Sequence, residues 1–241
     1  MTIAFSAFRG SLTVSGSASP GALSPTADIV AARLVVVIAG WTRVDGSATG
    51  TISDTDGHVW TPLYAIAQIG TNLYNAAWFT VTRATISTSD SITVDMGNSE
   101  TDGYSCFGIL EFTFDTSMNI KEAIVEATAT GTSTAPSVTK SGLSAKSKLL
   151  LGVVTIAGAN ADTYTQDADY LNNTSFGVGI GADACSMRFG TRISTTTSDT
   201  YDPTLGTSRL WNDILFVLEE FPGLARNPSQ RMQAVKRASY W

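Results

Sequence analysis

The sequence has few of the residues that most metal sites and catalytic sites require. Its 241 residues include one histidine, His58, and two cysteines, Cys106 and Cys185, far apart in the chain. A single histidine excludes His-rich metal sites and weakens any Ser-His-Asp arrangement, and the cysteines form no CxxC motif. We therefore expect no metal, no cofactor and no enzymatic activity. We expect two free, mostly buried thiols in a reducing compartment, although a single bridge between them stays open.

Charged residues and long apolar runs are also scarce. Charged side chains make up 15% of the chain, which argues against a coiled coil and against a disordered acidic or basic chain. No apolar run approaches the roughly 20 residues that a membrane helix needs. The first residues, Met1 to Phe5, show neither a basic flank nor a small-residue cleavage site. The sequence thus predicts no signal peptide and no membrane partner.

The residues that are abundant favour β-structure. The chain has 33 Thr, 26 Ser and 21 Gly but only 7 Pro, a composition typical of all-β proteins with many short turns. Apart from Arg33, residues 32–41 form an apolar run rich in β-branched side chains, which predicts a central strand covered on both faces. About ten to thirteen short strands follow from such patterns, with no long helix between them. We expect an antiparallel β-sandwich of jelly-roll type over residues 1–220.

A second apolar run, residues 149–158, resembles the first. Each run follows a basic residue, Arg33 or Lys148, continues with Leu and Val, and ends in Ile-Ala-Gly. One interpretation is a pair of equivalent central strands, neighbours across the sandwich, and the other is chance similarity between two buried strands. The segment between them, residues 130–147, is rich in Ser, Thr and Gly and is predicted to be a linker.

The C-terminal segment differs from the rest in charge. Residues 1–220 carry a net charge of −10, whereas residues 221–241 carry +4 and contain no acid. An acidic body is a poor nucleic-acid binder, because phosphate must be neutralised by Lys and Arg. We therefore predict no nucleic-acid partner and a short C-terminal arm, residues 221–241, that binds another protein subunit. A solvated, frayed chain end is the other interpretation.

Six residues of the arm are candidates for partner binding. The basic side chains would pair with carboxylates of a capsid or a neighbouring subunit, and the terminal aromatic side chains would fill apolar pockets. These residues are Arg226, Arg231, Lys236, Arg237, Tyr240 and Trp241.

Other chemical motifs are weak. Asp54-Thr55-Asp56-Gly57 copies the start of a calcium loop but lacks the remaining ligands, so a hairpin turn is favoured. His58 follows this turn and is expected to be exposed or to pack rather than to catalyse. The acidic pairs are more typical of turns and strand ends than of a glycosidase site; they are Glu100 with Asp102 and Glu111 with Asp115. Four tryptophans are predicted in the core or on a sheet face: Trp41, Trp60, Trp78 and Trp211.

The turn also carries a resemblance to a known group of proteins. Asp54, Gly57, Trp60 and Thr61 form a "D-x-x-G-x-x-W-T" pattern that resembles the hairpin of many virion proteins of tailed bacteriophages. A buried Leu/Val strand precedes that hairpin there, and an aromatic strand and a second Leu/Val strand follow it. Those domains are jelly-roll-like β-sandwiches of head decoration (cement) proteins, head fibres and tail components. The arm is not part of the pattern.

The resemblance implies a non-enzymatic structural virion protein. The first expectation is a decoration protein that binds the major capsid protein or another virion subunit. It would assemble in the host cytoplasm as a homo-oligomer, with a trimer as the specific prediction. The alternative is a carbohydrate-binding tail or fibre module, which predicts exposed Trp or Tyr beside Asp and Asn in loops 98–104, 160–173 or 194–205.

Overall fold

The structure is a computed structural model, and it describes ten segments of the chain. These are residues 3–15, 21–42, 50–69, 73–95, 103–114, 118–119, 124–159, 162–178, 184–219 and 221–222. Strands, isolated bridges, turns and bends account for the regular structure of all ten segments. The predicted all-β class and antiparallel β-sandwich are confirmed, whereas the jelly-roll type stays a prediction. In these segments no helix has the length and apolarity needed to cross a membrane.

The first half of the chain contributes eight strands, followed by a short ninth. They are β1 (Ala4–Ser15), β2 (Gly21–Leu23), β3 (Leu34–Thr42), β4 (Thr51–Asp54), β5 (Thr61–Ile69), β6 (Leu73–Val81), β7 (Ile92–Asp95), β8 (Tyr104–Thr113) and β9 (Met118–Asn119).

The second half contributes the remaining strands. They are β10 (Ile124–Ser133), β11 (Val138–Ser141), β12 (Lys148–Ala157), β13 (Tyr164–Thr165), β14 (Leu171–Val178), β15 (Cys185–Ser194), β16 (Ser198–Tyr201), β17 (Thr204–Leu205), β18 (Arg209–Leu218) and β19 (Phe221–Pro222).

Each half builds one five-stranded sheet and a smaller second layer. The five-stranded sheets have the orders β1-β8-β3-β6-β5 and β10-β18-β12-β15-β14. In the first half the small layer is the sheet β2-β7-β4, and in the second half it consists of the pairs β11-β16 and β13-β17. The second half therefore repeats the strand order of the first, with β16 and β17 together in the place of β7.

The predicted equivalence of the two Leu/Val runs is confirmed by this topology. β3 and β12 are the middle strands of the two five-stranded sheets. When Leu34 is aligned with Leu149, alternate residues of the two strands face the central core together. The Ile-Ala-Gly ends do not align, because Ile38 faces the central core and Ile156 faces the outer core. Gly40 then corresponds to Thr155, and a Cβ on Gly40 would lie 2.6 Å from Thr155 Cγ2. The two middle strands thus approach each other at equivalent positions, as expected near a pseudo-two-fold axis.

The hydrophobic core has three parts because the molecule has four layers. The central core lies between the two five-stranded sheets and contains Leu34, Val36, Leu149 and Leu151. The outer core of the first half lies between its large and small sheets, and the outer core of the second half occupies the same position there. Alternate residues of β3 and β12 point to the central and outer cores, which is why both strands are apolar throughout.

Two segments predicted as a linker and a loop contain strands. Residues 130–147 include the end of β10 and all of β11. The predicted loop 194–205 includes β16 and β17, and β16 pairs with β11 along four residues. Thr and Ser favour strands as well as turns, because a hydroxyl can face solvent from a strand of the small layer. The linker prediction is therefore wrong, and the segment belongs to the second half.

Candidate functional site

The predicted partner-binding residues of the arm lie outside the described residues. This applies to Arg226, Arg231, Lys236, Arg237, Tyr240 and Trp241, which stay predictions. The base of the arm is described: Phe221 pairs with Asn119 and Pro222 with Met118 in an antiparallel ladder. These partners belong to β9, between the two halves. The first residues of the predicted arm are therefore attached to the connection between the halves.

The Asp54 turn is a single hydrogen-bonded unit, but it does not close a hairpin. β4 pairs with β7 and β5 pairs with β6, in different sheets, so the predicted hairpin is wrong. Asp54 Oδ1 accepts hydrogen bonds from the backbone N–H groups of Asp56 (2.9 Å) and His58 (3.2 Å) and lies 3.1 Å from His58 Nδ1. Asp54 Oδ2 accepts a hydrogen bond from Trp60 Nε1 at 2.5 Å. Gly57 has a φ of +69°, a conformation that favours glycine. The spacing of Asp54, Gly57 and Trp60 is thus explained by the geometry of the turn.

The electrostatics of the Asp54 turn follow from these contacts. Burial alone would raise the pKa of Asp54, but hydrogen bonds from His58 and Trp60 outweigh burial and lower it. The sequence predicts that His58 is exposed or packs; its side chain is only 4% exposed, which fits the packing alternative. Asp54, Asp56 and His58 each offer one ligand atom within 4.8 Å of the others, so they could hold a metal ion. A cation would have to compete with the hydrogen bonds that both Asp54 oxygens already accept.

A polar cluster occupies the outer core of the second half. We call it the tyrosine cluster; its members are Tyr164, Gln166, Tyr170, Arg188, Tyr201 and Asp213. The Tyr164 hydroxyl donates a hydrogen bond to Gln166 Oε1 at 2.6 Å and lies 2.7 Å from the Tyr201 hydroxyl. The Arg188 guanidinium lies over the Tyr164 ring, 5.4 Å from its centroid, in a cation–π contact. The aromatic rings of Tyr170 and Tyr201 are 4.8 Å apart.

Two polar groups of the tyrosine cluster have no hydrogen bond of ordinary geometry to the part of the chain that the structure describes. Asp213 is 0% exposed, and neither carboxylate oxygen has a hydrogen bond of ordinary geometry to the described residues. Gln166 Nε2 is likewise buried without an acceptor in the described part of the chain. Burial raises the pKa of Asp213 well above its ordinary value, and the Ile214 backbone offsets this only in part. Burial also raises the pKa of Tyr164 and of Tyr170. The cluster therefore favours a protonated, neutral Asp213 carboxyl group.

An acidic rim lies beside the tyrosine cluster. Asp167 accepts hydrogen bonds from the backbone N–H groups of Asp169 (2.9 Å) and Asp202 (3.0 Å). Partial burial raises the pKa of Asp202, and the Asp167 carboxylate raises it further. Arg192 Nη1 pairs with Asp169 at 3.0 Å and with Asp199 at 2.9 Å. The strand pair β13-β17 thus brings together loops 160–173 and 194–205, two of the three loops named for glycan binding.

The aromatic residues of these loops do not form an exposed platform in the described residues. Tyr170 is 3% and Tyr201 0% exposed, whereas Tyr164 is half-buried. The expectation of exposed tyrosines is therefore wrong for Tyr170 and Tyr201, because both rings fill the outer core. Of the tryptophans, Trp41, Trp78 and Trp211 are buried and Trp60 is half-buried. Their predicted place in the core or on a sheet face is confirmed.

Glu111 is the one member of the two acidic pairs that lies in the described residues. It is 2% exposed and forms ion pairs with Arg9 and with Arg33, the latter at 3.1 Å between Nε and Oε1. Both carboxylate oxygens therefore bind a guanidinium. Glu100, Asp102 and Asp115 lie outside the described residues.

Sequence reasoning missed the tyrosine cluster. Its signals were two charged residues inside apolar strands: Arg188 between Met187 and Phe189, and Asp213 within the run 210–219. Charged residues in a buried strand are rare and need an explanation. The alternation of apolar and polar residues does not predict that Arg188 and Asp213 lie close together. Only the fold places both beside Val154.

The described residues define an all-β protein made of two half-sandwiches stacked through their five-stranded sheets. Comparison of the chain with family models, with curated proteins and with solved structures gives no match.

Proposed function

We propose that this protein is a non-enzymatic structural component of a tailed-bacteriophage virion. In this proposal it is a decoration (cement) protein that binds the head shell and stabilises it through its C-terminal arm. The observation that carries the proposal is the pairing of Phe221–Pro222 with Met118–Asn119. It gives the arm a base fixed to the body, so residues 223–241 would bind a neighbour from a defined point.

The charge distribution supports an arm that acts on another subunit. The arm carries +4 and the body −10. Opposite charges on the two parts favour contacts between copies or with an acidic shell surface, and they increase the rate of association. Such contacts weaken as salt screens them, because the Debye length is only about 8 Å at physiological ionic strength.

The body supports a passive, durable role. Four stacked layers enclose three hydrophobic cores, and the buried Glu111 carboxylate is satisfied by two arginines. A body of this kind keeps its shape while the arm provides the attachment.

The edge strand β10 supports assembly of several copies. In the described residues, β10 has β18 as its one ladder partner, in a register without a shift along all ten residues. The other three edge strands of the five-stranded sheets, β1, β5 and β14, each contain register shifts. A regular edge offers backbone N–H and C=O groups to a strand of another chain. We therefore propose β10 as the contact between copies in the predicted trimer. Sedimentation equilibrium should give three times the 25.4 kDa chain mass, and a monomer would contradict this contact.

Deletion of residues 223–241 tests the attachment. The truncated protein keeps β19 and should fold with an unchanged melting temperature. It should lose at least about tenfold in affinity for purified heads that lack the protein, measured by co-sedimentation.

A charge-neutral arm is the matched control for the deletion. It changes the four basic residues to glutamine, namely Arg226, Arg231, Lys236 and Arg237, and keeps Tyr240 and Trp241. It should lose the salt dependence of binding and retain part of the affinity. Unchanged attachment of the truncated protein would overturn the proposal.

A second candidate function is glycan binding by a tail or fibre module. The observation that favours it is the proximity of loops 160–173 and 194–205, with the acidic rim of Asp167, Asp169 and Asp202 beside the half-buried Tyr164. Carboxylates can accept hydrogen bonds from sugar hydroxyls beside an aromatic ring. A glycan array with the intact protein tests this function. Binding that is lost in Asp202→Ala but kept in the distant Asp56→Ala would support it, and an array without binding would contradict it.

A further inference from the structure

The two cysteines meet across the interface between the halves. Cys106 lies on β8 opposite Gly40, and Cys185 begins β15 opposite Ala157. Both are free, both are 0% exposed, and their sulfur atoms are 3.6 Å apart. Because β8 and β15 belong to different five-stranded sheets, this contact joins residues 79 positions apart through the central core.

Two glycines of the first sheet allow the close approach at this point. A Cβ on Gly40 would lie 2.6 Å from Thr155 Cγ2 and 3.2 Å from Met187 Sδ. A Cβ on Gly108 would lie 2.7 Å from the Phe176 ring. The distances of 2.6 Å and 2.7 Å are too short for a real Cβ atom. The two glycines therefore let the second sheet lie close to Cys106. The geometry around the cysteines is therefore built for contact between the sheets.

We propose that Cys106 and Cys185 are an oxidisable pair, a latent cross-link that joins the two half-sandwiches when the protein meets a low-molecular-weight disulfide. The sulfur atoms are in contact, so small side-chain rotations and a small approach of the sheets would bring them to the roughly 2.05 Å of a disulfide. The sulfur contact and the facing strands carry the proposal, and it does not depend on the virion role.

The reaction is a pair of thiol–disulfide exchanges. One cysteine thiolate attacks the small disulfide, forms a mixed disulfide and releases one small thiol. The second cysteine attacks the protein sulfur of this mixed disulfide, forms the Cys106–Cys185 bond and releases the second small thiol. The two cysteines lose two electrons and two protons, and the small disulfide takes up both.

Burial determines when this reaction takes place. The reagent has no direct access to the sulfur atoms, and a hydrogen bond to Cys106 together with burial raises the pKa of Cys185 well above its ordinary value. The thiolate that attacks is therefore scarce while the halves are closed. The bond should form during folding, or whenever the halves open, and the reduced pair should persist in a reducing cytoplasm.

Refolding in two redox buffers tests the proposal. The full chain is unfolded in urea and refolded with oxidised glutathione or with excess reduced glutathione. The oxidised sample should lose both titratable thiols and about 2 Da in mass, and it should yield one cross-linked peptide containing Cys106 and Cys185. Its melting temperature should exceed that of the reduced sample by about 5–15 °C, because the bond closes a long loop of the unfolded chain.

The single variants Cys106→Ala and Cys185→Ala are matched controls. Neither can form the internal bond, so their melting temperatures should be equal in the two buffers. Two thiols that remain titratable in denaturant after oxidative refolding would overturn the proposal. Disulfides only between chains, or an oxidised wild type less stable than the reduced protein, would overturn it as well. The thiol titration and the comparison of oxidised with reduced protein use the wild-type chain alone. They therefore test the proposal even if a variant does not fold.

Discussion

The outer cores of the two halves differ, although the halves share one strand order. In the first half, Ala39 on the middle strand is flanked by Ala76 and Phe107, and the surrounding core is apolar. In the second half, the equivalent Val154 is flanked by Arg188 and Asp213. Phe107 and Asp213 thus occupy the same place in the two halves.

This difference shows that one β-topology can enclose either an apolar or a polar outer core. Burying Asp213 without a hydrogen bond of ordinary geometry to the described residues reduces stability, because desolvation of a carboxyl group is unfavourable unless hydrogen bonds replace the lost water. The comparison therefore shows that the second half buries an ionisable group where the first half buries a phenylalanine.

The largest expected effect comes from giving the first half the residue of the second. Phe107→Asp places an unpartnered carboxyl group in an apolar core and removes a large side chain. We expect a loss of about 4–5 kcal/mol or more in the free energy of unfolding, measured by urea titration. Phe107→Leu is the control and should lose about 1–2 kcal/mol. Equal losses in the two variants would show that the first outer core tolerates a carboxyl group.

A smaller effect is expected from giving the second half a residue of the first half, on the middle strand β12. Gly152 corresponds to Val37 of the first half, and a Cβ at Gly152 would overlap the Tyr201 ring. Gly152→Val should therefore reduce the free energy of unfolding by about 1–3 kcal/mol through overpacking. Adding Tyr201→Leu should restore part of this loss, because the smaller side chain leaves room for Val. Purely additive losses in the double variant would contradict a direct clash with Tyr201.

The smallest effect should distinguish the two turns that lead into β5 and β14. Asp54 binds two backbone N–H groups and the side chains of His58 and Trp60, whereas Asp167 binds the two backbone N–H groups of Asp169 and Asp202. Asp54→Ala should cost about 2 kcal/mol and Asp167→Ala about 1 kcal/mol, measured by thermal unfolding. Because the pKa of Asp54 is lowered, its contribution should be lost as the pH falls below about 4. A larger loss from Asp167→Ala would reverse the comparison.

Much of the fold could be predicted from local pattern. The two Leu/Val runs, the Asp54 turn and the buried cysteines each depend on residues close in sequence or on simple burial. The stacking of two five-stranded sheets could not be predicted, because apolar residues on both faces of β3 do not reveal which sheet covers each face. The tyrosine cluster was missed because Arg188 and Asp213 come together only through the pairing of β15, β12 and β18. Strand β11 was missed because Thr and Ser are as compatible with a loop as with an outer strand.

The pH dependence of stability in the wild type and in Asp213→Asn tests the comparison most directly. The pKa of Asp213 is raised in the folded state, so the folded protein binds more protons than the unfolded chain at pH values above about 4. The free energy of unfolding of the wild type should therefore fall, relative to the variant, as the pH rises above about 4. The difference in slope should approach about 1.4 kcal/mol per pH unit, because the asparagine side chain of the variant does not titrate. Parallel curves for the two proteins would contradict a buried, unpartnered carboxyl group in the second half.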